Sequence, residues 1–213
     1  MATITDIQPQ KKRAGYYNIF VDESFFCSLS ELQLASRALR VGQQLESVEL
    51  GNLKVDSQIQ KTYNRAIYYL KYGPRTVEQM RKYLLLKEYE PEYIELALER
   101  LAKERYLDDD KYIDNWIEQR RSIKARSSKQ LYIELIKKGV DKQLVQSKLA
   151  ELDDDADRQA IAVLIEKKGR LSQYQDRQKM TQYLMRQGFK YHDICSVLDE
   201  WFDFSFRLES SAQ

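Results

Sequence analysis

Length, composition and charge already exclude several classes of protein for this chain of 213 residues. Charged residues make up 32% of it against 43% hydrophobic residues, and the mean hydropathy is −0.65, which favours a repeat array with much surface over one large globule. The seven glycines and three prolines are few, which favours long helices over β structure. No apolar run approaches the roughly 20 residues that span a bilayer, and no signal peptide is visible. We therefore expect a soluble, cytoplasmic protein.

The first segment of the chain, residues 1–56, is predicted to combine a β-hairpin with a short helix. Tyr16–Val21 and Phe25–Leu29 are rich in aromatic and β-branched residues and flank Asp22-Glu23, which is the pattern of a hairpin. Ser30–Arg40 is predicted to be helical, with Ser30 as its N-cap and Gly42 as its stop. Because a lone hairpin must pack on other structure to persist, we expect this segment to be an appendage.

The remainder of the chain contains a repeat with a period near 50 residues. Three windows of equal length align without gaps, namely Met80–Leu101, Leu131–Leu152 and Met180–Trp201. Seven columns are apolar in all three windows, and their spacing places them on one face of each of two short helices. Gly139 and Gly188 stand between these helices, where a left-handed residue commonly ends a helix.

The helix boundaries repeat together with the apolar columns, which indicates true modules and not merely amphipathic helices. Thr76, Ser127 and Asp176 each lie four residues before a window and suit the N-cap of its first helix. The first window has Glu88 in place of glycine, which should cost about 1 kcal/mol in a left-handed backbone. The window residues expected in the cores are Leu84, Ile94, Leu98, Leu135, Val145, Leu149, Leu184, Ile194 and Leu198. Leu85, Ile136 and Met185 form another of the seven columns and are assigned to the same helix face.

One more amphipathic helix precedes each window, so each repeat has three helices. The predicted fold class is therefore mainly α: an elongated array of three tandem three-helix modules behind the N-terminal hairpin and helix. The predicted divisions are 1–56 for the N-terminal extension, 57–106 for the first module, 107–152 for the second, and 153–213 for the third module with its tail.

The residues that usually carry catalysis are missing from the sequence. No phosphate-binding glycine motif occurs, and His192 is the only histidine. Cys27 and Cys195 lack metal-type spacing. The acidic run Asp153–Asp155 precedes a helix, where favourable interaction with the helix dipole explains it better than a metal does. We expect no enzyme, no catalytic residue, no metal site and no cofactor.

A cluster of cations is the candidate binding site. Five basic residues fall within the ten residues 120–129, and no acid accompanies them. Such a row can bind phosphate oxygens or carboxylates. The alternative is a solvated helix face with cations at helix C-termini. Together with Arg75, Lys137 and Lys138, these five residues form the set that we call the basic stripe: Arg75, Arg120, Arg121, Lys124, Arg126, Lys129, Lys137 and Lys138.

Several stretches of the chain resemble the RecX family. Residues 66–87, AIYYLKYGPRTVEQMRKYLLLK, are similar to its first-repeat motif, and residues 101–122, LAKERYLDDDKYIDNWIEQRRS, to its junction motif. Residues 129–145 resemble its second-repeat motif, and residues 39–45 the stretch before the repeats. Glu88 and Ser127-Ser128 depart from the usual turn residues. The resemblance implies three tandem three-helix repeats, and it supplies no catalytic residue.

The resemblance also implies a function, namely binding to the RecA–DNA filament and inhibition of its activities, which would regulate recombination, DNA repair and the SOS response. Single- or double-stranded DNA is a further expected partner, no membrane is expected, and the chain should be a monomer. The alternative is a stand-alone DNA-binding protein with helix-turn-helix-like modules in major grooves. That alternative predicts tight DNA binding without RecA.

Overall fold

A computed structural model describes residues 1–11, 13–153, 155–169, 171, 174 and 176–210, with side chains described up to Trp201. The chain divides into two compact units. The first comprises Met1–Arg75 and Gln79–Leu107. The second comprises Thr76–Glu78 and the chain from Asp108 onward.

Helices dominate the structure, and they follow the predicted repeat. After the short α1 (Glu31–Ser36), they form three triplets, which we call modules 1, 2 and 3. Module 1 contains α2 (Ser47–Leu70), α3 (Val77–Leu86) and α4 (Pro91–Lys103). Module 2 contains α5 (Asp109–Lys124), α6 (Ser128–Lys137) and α7 (Lys142–Ala150). Module 3 contains α8 (Ala156–Lys168), α9 (Arg177–Arg186) and α10 (Tyr191–Ser210). The mainly α fold class with a small N-terminal β element is confirmed.

The N-terminal β element is a four-stranded antiparallel sheet and not the lone hairpin that we predicted. Its strands are β1 (Ala2–Pro9), β2 (Tyr16–Val21), β3 (Ser24–Ser30) and β4 (Gln44–Leu45), in the order β3-β2-β1-β4. The predicted hairpin is β2–β3. Strand β1 escaped prediction because a bulge between Ile4 and Asp6 breaks the alternation of apolar residues. Ile4 and Ile7, three residues apart, consequently pack into the same core.

Helix α2 connects this sheet to the helical part of the first unit. Its Leu53 is buried in the core of the sheet, and the Ser57 hydroxyl donates a hydrogen bond to the carbonyl of Ser28. Further along, the hydroxyl of the buried Tyr63 donates to the Glu104 carboxylate. Burial and this hydrogen bond raise the pKa of Tyr63 to about 12. Helix α1 ends at Ser36, earlier than predicted, although its Ser30 N-cap is confirmed.

The predicted cores are largely confirmed. Of the nine core residues expected from the aligned windows, all are buried except Leu149, which is half-buried against the core of module 2. In the column of Leu85, Ile136 and Met185, Leu85 and Met185 were wrongly assigned to the core face, whereas Ile136 packs partly buried against the core of module 2. Leu85 is 45% exposed and Met185 51% exposed. A residue five positions after another on a helix lies about 140° away from it, so this column falls at the edge of the buried stripe.

Within the second unit, two hydroxyl residues that precede helices bind the module that follows them. The Thr76 hydroxyl donates to the carbonyl of Lys138, and the Ser127 hydroxyl donates to the carbonyl of Gln187, each at 2.7 Å. The residue after each hydroxyl residue also binds the following module, because its backbone N–H donates to an aspartate at the start of a helix of that module. The pairs are Val77–Asp109 and Ser128–Asp157, each at 3.0 Å. The same joint therefore occurs twice.

Two predicted glycines lie at these joints. Gly139 and Gly188 are left-handed, with φ of +81° and +87°. A Cβ on Gly139 would collide with the Glu78 side chain, and one on Gly188 would lie 3.0 Å from Oγ of Ser127. Glu88, in the equivalent position of module 1, also has a left-handed φ of 60° but is exposed. Its side chain extends into solvent, which explains why a residue other than glycine is tolerated there.

Candidate partner-binding surface

The turn between α5 and α6 carries most of the basic stripe. Helix α5 ends at Lys124, and the left-handed backbone of its C-cap residue Ala125 (φ 46°) reverses the chain. Ala125 is buried in the core of module 3, and Ser127 caps α6 by accepting a hydrogen bond from the Gln130 N–H. The turn is therefore fixed at both ends, and the cations before and after it are held in defined positions.

Two arginines of the stripe share one carboxylate. Nε of Arg120 lies 3.1 Å and Nε of Arg126 3.3 Å from the two oxygens of Glu134. The Trp116 indole N–H also donates to Glu134, at 3.1 Å. The Arg120 guanidinium and the Lys138 ammonium lie 4.1 and 4.4 Å from the centroid of the Trp116 ring. Three cations are thus gathered around one acid and one aromatic ring, which leaves the cluster with excess positive charge.

Arg121 has a structural role. Its guanidinium donates to the Asp157 carboxylate and the Ala156 carbonyl, both at 2.7 Å, and to Oγ of Ser128 at 2.9 Å. Its side chain is only 16% exposed. These bonds connect α5 and α6 to the start of α8, which leaves little of the guanidinium for a partner. Asp157 follows Arg121 by 36 residues, so the lack of an acid within 120–129 did not mean a lack of ion pairs.

Three lysines of the stripe remain accessible. Lys124, Lys129 and Lys137 are exposed, and among the residues that the structure describes none of them forms an ion pair with an acid. They stand on the last turn of α5, the first turn of α6 and the last turn of α6. These three are the stripe residues best able to meet phosphate or carboxylate groups of a partner.

Arg75 belongs to the first unit, whereas the other seven stripe residues belong to the second. Its guanidinium lies 4.7 Å from the centroid of the Tyr69 ring. It also donates to the carbonyls of Pro74 and Tyr72, at 3.1 and 3.4 Å. Arg75 and Arg126 each directly precede an N-cap candidate, Thr76 and Ser127, but their surroundings differ, since Arg75 contacts a ring and Arg126 a carboxylate.

The structure offers no metal centre within the residues that it describes: no three His, Cys, Asp or Glu side chains converge as ligands would. Asp154, in the acidic run considered above, lies outside those residues. The Cys27 thiol is buried, and burial raises its pKa to about 11. Over the same part of the chain, no helix combines the length and apolar character needed to cross a membrane.

Comparison with known families gives three matches along the chain. The model described as the regulatory protein RecX N-terminal domain matches residues 2–46. The first and third RecX three-helix domains match residues 63–101 and 153–198. These ranges include all four strands of the sheet, most of module 1 and most of module 3.

Individual relatives agree with the family models. The regulatory protein RecX of Bacillus cytotoxicus is 30% identical over 208 residues, covering 94% of this chain and 77% of the relative. That of Halalkalibacterium halodurans is 30% identical over 197 residues, covering 89% and 74%.

Solved structures share the fold. A crystal structure of regulatory protein RecX superposes with a TM-score of 0.77 at 24% identity and covers 93% of this chain and 100% of that one. The RecX structure from Lactobacillus salivarius gives 0.60 at 23% identity, covering 67% and 96%.

Proposed function

Because this chain belongs to the RecX family of regulatory proteins, we propose that it binds the filament formed by the RecA recombinase on DNA and inhibits the activities of that filament. The observation that carries the proposal is the 30% identity to a regulatory protein RecX over 94% of the chain. Regulation by binding, without catalysis, also agrees with the character of the basic stripe, which consists of cations that can pair with anionic groups.

The repeated joint gives a reason why this architecture suits a filament. Within the second unit, Thr76 and Ser127 each donate the same kind of hydrogen bond to the module that follows, so the joint is repeated. A polymer of identical subunits also presents its surface groups at regular intervals. Repeated modules can therefore contact successive subunits of one partner.

We assign the contact to Lys124, Lys129 and Lys137, because these stripe cations are exposed and are not engaged by acids among the described residues. Arg120, Arg121 and Arg126 instead balance Glu134 and Asp157. Reversing the three lysines should replace attraction by repulsion at the interface and should leave the ion pairs of the fold intact.

The test is RecA-dependent ATP hydrolysis on single-stranded DNA with this protein titrated in. We expect the parent protein to inhibit, and we expect the K124E/K129E/K137E variant to need at least about tenfold more protein for half-inhibition. The matched control is K142E/K167E/K179E, which changes the charge equally at exposed lysines of the same unit. No inhibition by the parent would refute the function, whereas equal inhibition by both variants would refute only the assignment of the contact.

A stand-alone DNA-binding protein is the second candidate, and the three accessible lysines also favour it because they could neutralise phosphates. Binding to duplex DNA measured without RecA separates the two candidates. The second candidate would be favoured if the parent binds duplex DNA tightly, the K124E/K129E/K137E variant loses that binding, and the parent leaves the rate of ATP hydrolysis by RecA unchanged.

A further inference from the structure

A small pocket in the first unit is lined by cations and, among the residues that the structure describes, by no acid. Its volume is about 280 Å³. Arg13 comes from the loop between β1 and β2, whereas Lys61 and Arg65 lie one turn apart on α2. We call it the loop–α2 pocket, and its lining residues are Arg13, Lys61, Asn64, Arg65, Tyr68 and Tyr89.

The charge of these three cations is not neutralised within the described part of the chain, where none of them forms an ion pair with an acid. The Arg13 guanidinium lies 3.9 Å from the centroid of the Tyr16 ring. The Arg65 guanidinium lies 5.5 Å from the Tyr83 ring and 5.7 Å from the Tyr68 ring. Aromatic rings position a guanidinium without cancelling its charge. The pocket therefore concentrates positive charge, which attracts an anionic ligand.

The orientation of the Asn64 amide in this pocket is fixed by its neighbours. Arg100, which can only donate, donates to Oε1 of Gln60 at 2.9 Å. Nε2 of Gln60 then faces the other way and donates to Oδ1 of Asn64 at 3.1 Å. The Tyr16 hydroxyl donates to the same Oδ1 at 3.0 Å. Because Oδ1 accepts both bonds, the Nδ2 group of Asn64 must point away from Gln60 and Tyr16.

Nδ2 of Asn64 is a buried donor without an acceptor among the described residues. Buried polar groups are nearly always hydrogen-bonded, so a donor without a partner calls for an explanation. A flip of the amide would not help, because it would place two donors against the Gln60 Nε2 group. An acceptor oxygen supplied by a ligand would satisfy Nδ2 and would also meet the three cations.

We propose that the loop–α2 pocket binds the terminal phosphate of a small free anion, with Arg13, Lys61 and Arg65 neutralising its charge and Asn64 donating to one of its oxygens. A terminal phosphate carries up to two negative charges and three acceptor oxygens, whereas a phosphodiester within a strand carries one charge. Arginine also matches the geometry of phosphate oxygens. The pocket is close to the lower size limit of small-molecule sites, which suits a phosphate group. The proposal rests neither on RecA nor on the basic stripe.

The test is isothermal titration of the full-length protein with inorganic pyrophosphate and, separately, with ATP, in EDTA and without RecA. We expect saturable binding of the parent, and we expect R13Q/K61Q/R65Q to bind pyrophosphate at least about tenfold more weakly. The matched control is R40Q/K54Q/K103Q, which removes the same charge at exposed positions of the same unit and should bind within about twofold of the parent.

Asn64→Asp tests the donor separately from the cations. This change keeps Oδ1 as the acceptor for Tyr16 and Gln60 and replaces the Nδ2 donor by an oxygen. We expect at least about tenfold weaker binding of pyrophosphate, with the fold retained in far-UV circular dichroism melts. Lys54→Gln lowers the net charge by the same amount at an exposed site and is the control for charge alone.

The two ligands distinguish the sources of the terminal phosphate. Equal affinity for pyrophosphate and ATP would mean that the phosphate chain alone is recognised, as in a free inorganic anion. Tighter binding of ATP would mean that the nucleoside also contacts the protein, for which the 47% exposed Tyr68 beside the pocket offers a ring. Either result supports the proposal.

Four results would overturn the proposal: no saturable binding of either ligand by the parent, equal binding by the parent and R13Q/K61Q/R65Q, equal binding by the parent and Asn64→Asp, or displacement of pyrophosphate equally well by citrate or by an oligonucleotide without a terminal phosphate. The K124E/K129E/K137E variant should bind pyrophosphate like the parent. None of these measurements involves RecA, so the failure of this proposal and that of the proposed function can be told apart.

Discussion

Arg121 is expected to contribute to stability, although it looks like a surface cation in the sequence. Its guanidinium makes three hydrogen bonds, and Asp157 would lose its cation if Arg121 were removed. We expect Arg121→Ala to lower the free energy of unfolding by about 1.5–3 kcal/mol, which is the usual range for hydrogen bonds to charged groups. Lys124→Ala, three residues further on, should change it by no more than about 0.5 kcal/mol.

Urea unfolding of the parent and the two variants, followed by circular dichroism, measures the difference. Each of the two variants removes one positive charge, so a change in net charge alone would shift both equally. Equal midpoints for Arg121→Ala and Lys124→Ala would therefore contradict the structural role of Arg121.

The location of the basic stripe could be predicted from the sequence, but the pairing of its side chains could not. Charge density along the chain is directly visible, whereas Arg126 pairs with Glu134, which is eight residues away in sequence. Helical neighbours are three or four residues apart, so local spacing does not reveal this pair. Apolar periodicity likewise identifies the buried side of a helix but does not show which tyrosines near it are exposed, as Tyr68 and Tyr72 are.

The turn between the last two helices of each module gives a paired prediction. Gly188→Ala places a Cβ 3.0 Å from Oγ of Ser127 in a left-handed backbone, where a side chain costs roughly 1–2 kcal/mol. Glu88 has the same left-handed backbone at an exposed position, so its side chain already destabilises that turn. We expect Gly188→Ala to destabilise the protein by at least about 1–2 kcal/mol and Glu88→Gly to stabilise it by up to about 1 kcal/mol.

Thermal and urea unfolding of both variants check the signs. A stabilising Gly188→Ala would mean that the turn does not adopt the left-handed geometry in solution. A destabilising Glu88→Gly would mean that the Glu88 side chain makes an interaction worth more than the strain of its backbone.

Elements with regular periodicity were predictable, and irregular ones were not. The helices of the repeats follow from their apolar columns and caps because each turn repeats the same pattern. Strand β1 does not, since its bulge at Ile4–Asp6 shifts the alternation, and β4 has only the two residues Gln44–Leu45. A strand this short forms through pairing with β1, which is a long-range interaction that the local sequence does not encode.

Modules 2 and 3 stabilise each other through contacts within the second unit. Separated from module 3, module 2 loses several connections: the Arg121–Asp157 ion pair, the hydrogen bonds from Ser127 to Gln187 and from Ser128 to Asp157, and the burial of Ala125 in the core of module 3. A small bundle of this size supplies little net stability by itself.

An isolated fragment of residues 107–152 should therefore be weakly structured, whereas a fragment of residues 108–210 should unfold cooperatively. The longer fragment retains all of these connections, and the stability of a repeat array is the sum of its modules and the interfaces between neighbours. Helicity by far-UV circular dichroism and urea unfolding of both fragments at equal concentration test this. Arg121→Ala in the longer fragment should move its midpoint toward that of the shorter one, because it removes one connection without shortening the chain. A cooperative transition of residues 107–152 at the midpoint of the longer fragment would show that module 2 is stable without its neighbour.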